Sequence, residues 1–294
     1  MISLPANNDY TFSCVLSSLN LAKWDEFDAD TIFWATVFLD CVASNTIEQT
    51  ANDYELRKLH KFTKDFRALG LGTLGYASYL QSKMVPFESF DAHMMNINIF
   101  KRIDEETKYA SQTMAKDMGV PLVCEGTGMR NATITAIAPN TSSAILCGGV
   151  SQGIEPIVAN TYNQNTAAGE MTRMNPYLVK VLKDKGVFTN ELMWNIDVNH
   201  KGSVQHLECL TDHEKLVFRT AFEMNQSVLV RKAAARQPFI SQTQSLNLFF
   251  DTDEVYIASV TKEALENENI ISLYYQRSMR GVSASKGECI ACEG

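Results

Sequence analysis

The chain has 294 residues, 45% of them hydrophobic and 20% charged, with a formal net charge of −8. That balance describes a globular chain able to bury a sizeable core in one large or two ordinary domains. The acidic excess argues against a nucleic-acid or anionic-membrane surface, which needs clustered Lys and Arg, and the longest apolar run, TIFWATVFL, is cut at Asp40, far short of a membrane span.

Seven cysteines are scattered singly except for Cys289 and Cys292 near the end. The opening MISLPANNDY shows no basic region followed by an apolar core, so no export signal is read, and the odd cysteine count fits a reducing compartment, with the cytoplasm as the expected location. One Cys-x-x-Cys supplies half of a structural zinc site, and His200, His206 and His213 do not have the spacing of a second half. A redox dithiol is the preferred reading and no metal is expected, because closely spaced thiols readily close a disulfide.

In chain order, YTFSCVLSSLNL is rich in strand formers, with Cys14 in its middle, while TIFWATVFLDCVASNTI and TANDYELRKLHKFTKDF carry apolar residues at helical spacing. FRALGLGTLGYASYLQSK predicts a short strand, a turn at Gly70 and Gly72, and a helix; the glycine spacing arises by chance too often to be taken as a dinucleotide fingerprint. Residues 97–118 read as a long helix, and ATITAIAP alternates as a strand until Pro139 ends it. The following NTSSA offers several N-cap residues in a row, so either an ordinary capped turn or a helix N-terminus able to hold phosphate follows that strand.

Farther on, NPYLVKVLKDKG predicts a short surface helix, capped by Asn175, opened by Pro176 and stopped at Gly186. In DHEKLVFRTAFEMNQSV the residues Val217, Ala221, Met224 and Val228 form a core-facing helical stripe. SLNLFF reads as a strand, DTDEVYIASVTKEALE as a helix capped by Asp251 or Thr252, and NIISLYY as a returning strand closed by Tyr274 and Tyr275. Strand alternates with helix throughout, which is an α/β pattern.

Six stretches in order carry a family resemblance: ISLP, CVLSSLNL, RALGLGTLGYASYL, MRNATITAIAPNTSSA leading to QGIEP, ISQTQSLNLF, and the tail with its tyrosine pair and terminal dithiol. Together they resemble the C-terminal half of the large, catalytic subunit of class I ribonucleotide reductase. The resemblance implies the second five-stranded half of a ten-stranded α/β barrel over residues 1–280, followed by a flexible redox tail over 281–294. Family members place Asn-x-Cys-x-Glu, which holds the radical cysteine, just before the Ile-x-Leu-Pro segment. Here Met1 stands directly ahead of Ile2, so the expectation is a split subunit, inactive until a separate N-terminal half covers its open strand edges.

By the same resemblance, Cys14 is one member of the thiol pair that reduces the ribose, and Cys289 and Cys292 regenerate that pair. Tyr274 and Tyr275 relay an oxidising equivalent from the small subunit, and Asn140, Thr141, Ser142, Ser143 and Ala144 form the substrate-phosphate loop. The implied partners are the N-terminal half, a small subunit with a di-metal tyrosyl radical, thioredoxin or glutaredoxin as reductant, and a ribonucleoside diphosphate. No cofactor is expected on this chain itself. Cys41, Cys124, Cys147 and Cys209 match no family role and are expected to pack in apolar surroundings. The rival readings are a non-catalytic scaffold or regulatory fragment, which retention of Cys14, both tyrosines and the dithiol argues against, and a stand-alone dithiol protein, for which no thioredoxin-like core is visible.

Overall fold

The structure is a computed structural model that describes residues 8–166, 169–251 and 253–278. The elements in chain order are β1 (Val15–Asn20), α1 (Thr31–Thr50), α2 (Arg57–Phe66), β2 (Leu69–Leu74), α3 (Tyr76–Ser82), α4 (Phe90–Met118), α5 (Thr141–Leu146), β3 (Thr161–Thr166) and β4 (Gly169–Met174). They continue with α6 (Pro176–Asp184), α7 (Asn190–Trp194), α8 (Asp212–Val217), α9 (Gln226–Arg236), β5 (Leu248–Phe250), α10 (Glu254–Glu266) and β6 (Gln276–Ser278).

The site is organised by parallel extended segments. β1 runs parallel to β2, with Val15 opposite Leu69 and Asn20 opposite Leu74. β2 is bridged at Leu71 to Thr135, and Ile137 is bridged to Gln244, both in parallel sense. β5 pairs in parallel with β6. Among the described residues, regular ladders therefore form three two-stranded sheets, the third being the antiparallel β3–β4 hairpin, rather than the single five-stranded sheet expected. The interruption has a chemical reason: the Ser241 hydroxyl accepts the N–H groups of Ile134 at 2.8 Å and Thr135 at 2.9 Å, so a side chain fills places that a strand would fill.

One face of these segments is covered by helices. Leu19, Leu69, Leu71 and Leu248 pack with Ile32 and Leu39 of α1, Ile99 and Phe100 of α4, and Leu229 and Val230 of α9. Each such side chain contributes about 1.5–3 kcal/mol on burial. At the start of the layer, Asp40 of α1 takes hydrogen bonds from Arg67 Nε and Arg130 Nε, each at 2.8 Å, and from Asn131 Nδ2 at 2.9 Å. Burial alone would raise the Asp40 carboxyl, but the two guanidinium groups outweigh it and hold it below the usual carboxylate range. A smaller core, with Leu178, Leu182, Ile196, Leu207 and Phe218, gathers α6 and α8.

Several expectations are corrected. Gly70 and Gly72 lie inside β2, and the left-handed turn residue is Gly75, with φ +78°. Residues 212–228 are two helices rather than one, because α8 stops at Val217 and α9 starts at Gln226; Val217, Ala221 and Met224 are buried all the same. α6 is the expected short surface helix, with Leu178 and Leu182 buried on its inner face and Lys180, Lys183 and Asp184 exposed. The cap of α10 is Asp253, whose carboxylate accepts the N–H groups of Val255 and Tyr256. The last strand starts at Gln276, after the tyrosines. Cys124 is buried as expected and Cys209 is half-buried against the smaller core, but Cys41 and Cys147 are exposed.

Candidate active site

Cys14 directly precedes β1, and its side chain stands on the face opposite the helix layer. Alternation along a strand puts Cys14, Leu16 and Ser18 on one side and Val15 and Leu19 on the other, and Leu19 is the buried member. The space for the thiol exists because Gly70 lies beside it: an added Cβ at Gly70 would be 2.8 Å from the Cys14 sulfur. On the other side Gln242 donates from Nε2 to Sγ at 3.1 Å. That amide is fully buried and also reaches Leu69 O at 2.8 Å and Thr133 Oγ1 at 3.0 Å, so its two N–H hydrogens are shared among three acceptors that hold the group in place. Burial pushes the Cys14 thiol up, and the Gln242 hydrogen bond offsets only part of that. The group is thus kept as a protonated thiol, able to release a hydrogen equivalent, rather than as a standing thiolate.

The NTSSA segment follows residues 133–137 at the ends toward which the parallel segments run. Asn140 adopts a left-handed conformation, φ 62°, and makes no side-chain cap bond. Its amide donates instead to Thr73 O at 2.9 Å and Ala138 O at 3.0 Å, while its Oδ1 accepts the hydroxyl of Ser18 at 2.9 Å. Asn140 is thus a clamp between β1, β2 and the loop. The backbone N–H groups of Thr141, Ser142 and Ser143 have no acceptor among the described residues, and the first regular bond of the turn is Ala144 N–H to Asn140 O at 2.9 Å. Ser142 is exposed, Thr141 and Ser143 are half-buried and Ala144 is buried. Ser18 links the two parts of the site: it touches Asn140 and lies four residues beyond Cys14 on the same strand face, about 13 Å along the strand.

Tyr274 and Tyr275 stand together at the opposite edge, with ring centroids 4.1 Å apart and planes at 52°. Both are partly exposed, and the hydrogen bond to Tyr275 raises the Tyr274 phenol above its ordinary value. Tyr274 N–H donates to Leu246 O at 2.8 Å, which ties the pair to the segment that holds Gln242. The structure therefore joins the strand that follows Cys14 to the NTSSA loop through Ser18 and Asn140, and sets the tyrosines at the far edge. Cys289 and Cys292, with the whole of 281–294, lie outside the described residues.

Sequence reasoning missed Gln242, Glu155 and Asn247. Glu155 is buried and accepts both the backbone N–H of Asn247, at 2.7 Å, and its side-chain amide, at 3.0 Å. Burial pushes its carboxyl up to about 7 against the lowering effect of those bonds and of Arg277 and Arg236. A signal was present in QGIEP and SQTQSLN, where uncompensated polar residues interrupt apolar runs. Among the described residues no group of three or more His, Cys, Asp or Glu side chains could hold a metal ion, and no helix is long and apolar enough to cross a membrane.

A buried-amide-bonded thiol and a loop of free N–H groups thus lie on one α/β domain, linked through Ser18 and Asn140. Comparison with known proteins gives the family. Residues 2–126 and 123–276 match the family described as ribonucleotide reductase, barrel domain. The ribonucleoside-diphosphate reductase large subunit of Invertebrate iridescent virus 3 is 36% identical over 312 residues, covering 100% of this chain and 49% of that protein. The large subunit of Invertebrate iridescent virus 6 is also 36% identical, over 292 residues, covering 97% of this chain and 30% of that protein. Among solved structures, the class Id ribonucleotide reductase alpha subunit of Actinobacillus ureae superposes with a TM-score of 0.87 at 41% identity, over 95% of this chain and 52% of that one. The chain belongs to the ribonucleotide reductase barrel-domain family and is similar to the C-terminal part of class I large subunits. It spans about half the length of the first curated relatives it matches.

Proposed function

We propose that this chain is the C-terminal part of the catalytic barrel of a ribonucleoside-diphosphate reductase, and that its five extended segments, β1, β2, 133–137, 242–250 and 274–278, are one half of that barrel. The observation that carries the reading is the placing of Cys14 and the NTSSA loop on one open sheet face, joined through Ser18 and Asn140. A nucleotide held by its phosphates at the free N–H groups of Thr141, Ser142 and Ser143 lies along β1 with its ribose toward Cys14. Cys14 and a second thiol from the other half close a disulfide and give two electrons and two protons. The 2′-hydroxyl leaves as water and a C–H bond forms in its place. Cys289 and Cys292 then reduce that disulfide by exchange and are themselves reduced by thioredoxin or glutaredoxin. Tyr274 and Tyr275 pass the oxidising equivalent from a small subunit carrying a di-metal tyrosyl radical.

The other half of the barrel, in the same polypeptide or a separate one, supplies the radical cysteine. Leu16, on the thiol's side of β1, is 41% exposed, as an inner barrel face without its second half would be. The test is CDP reduction by this chain with small subunit and thioredoxin, with and without the N-terminal half. Turnover is expected only in the full mixture and is abolished by Cys14→Ser. Turnover by this chain without that half, or by the Cys14→Ser enzyme, would overturn the reading.

A further inference from the structure

The ring pair poses a geometric problem that the sequence does not show. Adjacent residues of an extended strand point to opposite faces, yet the rings of Tyr274 and Tyr275 lie 4.1 Å apart. The backbone explains how. Leu248 N–H donates to Tyr275 O at 2.9 Å, as the register of Leu248 with Gln276 requires. In that register Tyr275 N–H should donate to Leu246 O. Instead Leu246 O is taken by Tyr274 N–H at 2.8 Å, and Tyr275 N–H turns to the side-chain Oδ1 of Asn247 at 3.0 Å. One extra residue is thereby accommodated on the tyrosine side, as in a β-bulge, and the alternation is broken just between the two rings.

Asn247 can do this only if its amide is held with Oδ1 toward the strand. Glu155 holds it so, because its two carboxylate oxygens accept the N–H and the Nδ2 of the same residue. Both groups are buried, and a carboxylate placed there without a salt bridge among the described residues is costly; an apolar pair would fill the space more cheaply but would leave a regular strand. Glu155 follows the NTSSA loop by a short segment, so the clamp also ties the loop's exit to the tyrosine edge.

We propose that Asn247, locked by Glu155, is a positioning residue whose side chain opens the strand and sets the two tyrosine rings against one another for transfer between them. This rests on the reading of the pair as a relay. Asn247→Leu keeps the volume and removes the acceptor, and Asn247→Ser, too short to reach Tyr275 N–H, removes it without placing an apolar branch against Glu155. In crystals of the assembled enzyme the ring centroids are expected to part to beyond about 7 Å, the outer limit of an aromatic pair. Turnover should fall by at least about 100-fold, the loss that a misplacement of only ~1 Å can already produce, while CDP affinity is unchanged. Glu155→Gln, which offers one acceptor in place of two, should give a smaller loss and add nothing once Asn247 has been replaced.

Rings that stay stacked in both Asn247 variants would overturn the proposal, as would separated rings with undiminished turnover. Loss of CDP affinity in step with turnover would also overturn it, since that is the mark of a merely structural role. Tyr275→Phe with full turnover would strike the relay reading itself; the ring separation is measured independently of turnover, so the two failures are told apart.

Discussion

Gly70→Ala tests the site where it is tightest. The new Cβ would stand 2.5 Å from Leu16 Cδ2, 2.8 Å from Cys14 Sγ and 3.1 Å from Ala136 Cβ. Ordinary contacts begin near 3.5 Å, so the thiol must retreat by about 1 Å. Leu16 is partly exposed and can swing aside. The thiol has no such freedom, because Gln242 Nε2 closes its other side at 3.1 Å and is itself held by Leu69 O and Thr133 Oγ1. Overpacking of this kind costs about 1–3 kcal/mol, and displacing a reacting group by ~1 Å costs about 100-fold in rate. The expected outcome is a modest fall in thermal stability with a large fall in product formed per site in a single-turnover assay. Gly72→Ala is the control: its Cβ would meet the backbone carbonyl of Ala136, which cannot rotate away, so the stability loss should be the larger of the two. A Gly70→Ala enzyme with normal single-turnover yield and an unmoved Cys14 sulfur would refute the claim that this glycine makes room for the thiol.

Lys232 gives a pH test: its ammonium is buried without a hydrogen-bond acceptor among the described residues, and burial, with Arg236 adding, pushes it down to about 7. The unfolded chain binds that proton more readily up to about pH 10.4, so stability from this group rises as pH climbs from 7 toward 10.4, and Lys232→Met should raise the unfolding free energy most below pH 7, by roughly 1–4 kcal/mol, and least near pH 10, with the Tm gain following the same order. A Tm gain independent of pH would count against it. Cys289→Ser or Cys292→Ser should permit one round of product from a prereduced site and then stall with thioredoxin, while small dithiols restore cycling; steady thioredoxin-driven turnover by either variant would refute the shuttle.

Periodicity showed α1 to within three residues of its end and the C-terminal end of α4, because each carries several turns of apolar spacing, but it began α4 at 97 and missed the turns from Phe90. It failed where glycine and polar residues have two possible causes. Gly70 and Gly72 read as a turn, since turns and close strand contacts both ask for a residue without Cβ, and only the neighbouring thiol and the Ala136 carbonyl distinguish the two. NIISLYY read as a strand to its end because nothing local announces that Asn247, 28 residues before Tyr275, will take the N–H that the ladder needed. The stripe from Val217 to Val228 kept its buried members although the helix breaks between them, because burial was imposed by the core and not by one continuous helix.

The candidate site divides along the same line. Side chains that carry chemistry in themselves, the Cys14 thiol, the paired phenols and the run of N-cap residues, were legible because their types and order suffice to recognise them. Those that aim the chemistry were not. Gln242 meets Cys14 across 228 positions, and Glu155 meets Asn247 across 92. Glutamine, glutamate and asparagine are ordinary surface residues in any short window, and they become exceptional only when buried against specific, sequence-distant partners. A buried amide facing a thiol, and a buried carboxylate holding a single asparagine, are costly arrangements that an apolar core would avoid. Gln242 holds the Cys14 sulfur and Asn247 takes the N–H of Tyr275, so each of these buried side chains bears directly on the geometry of an oxidisable group.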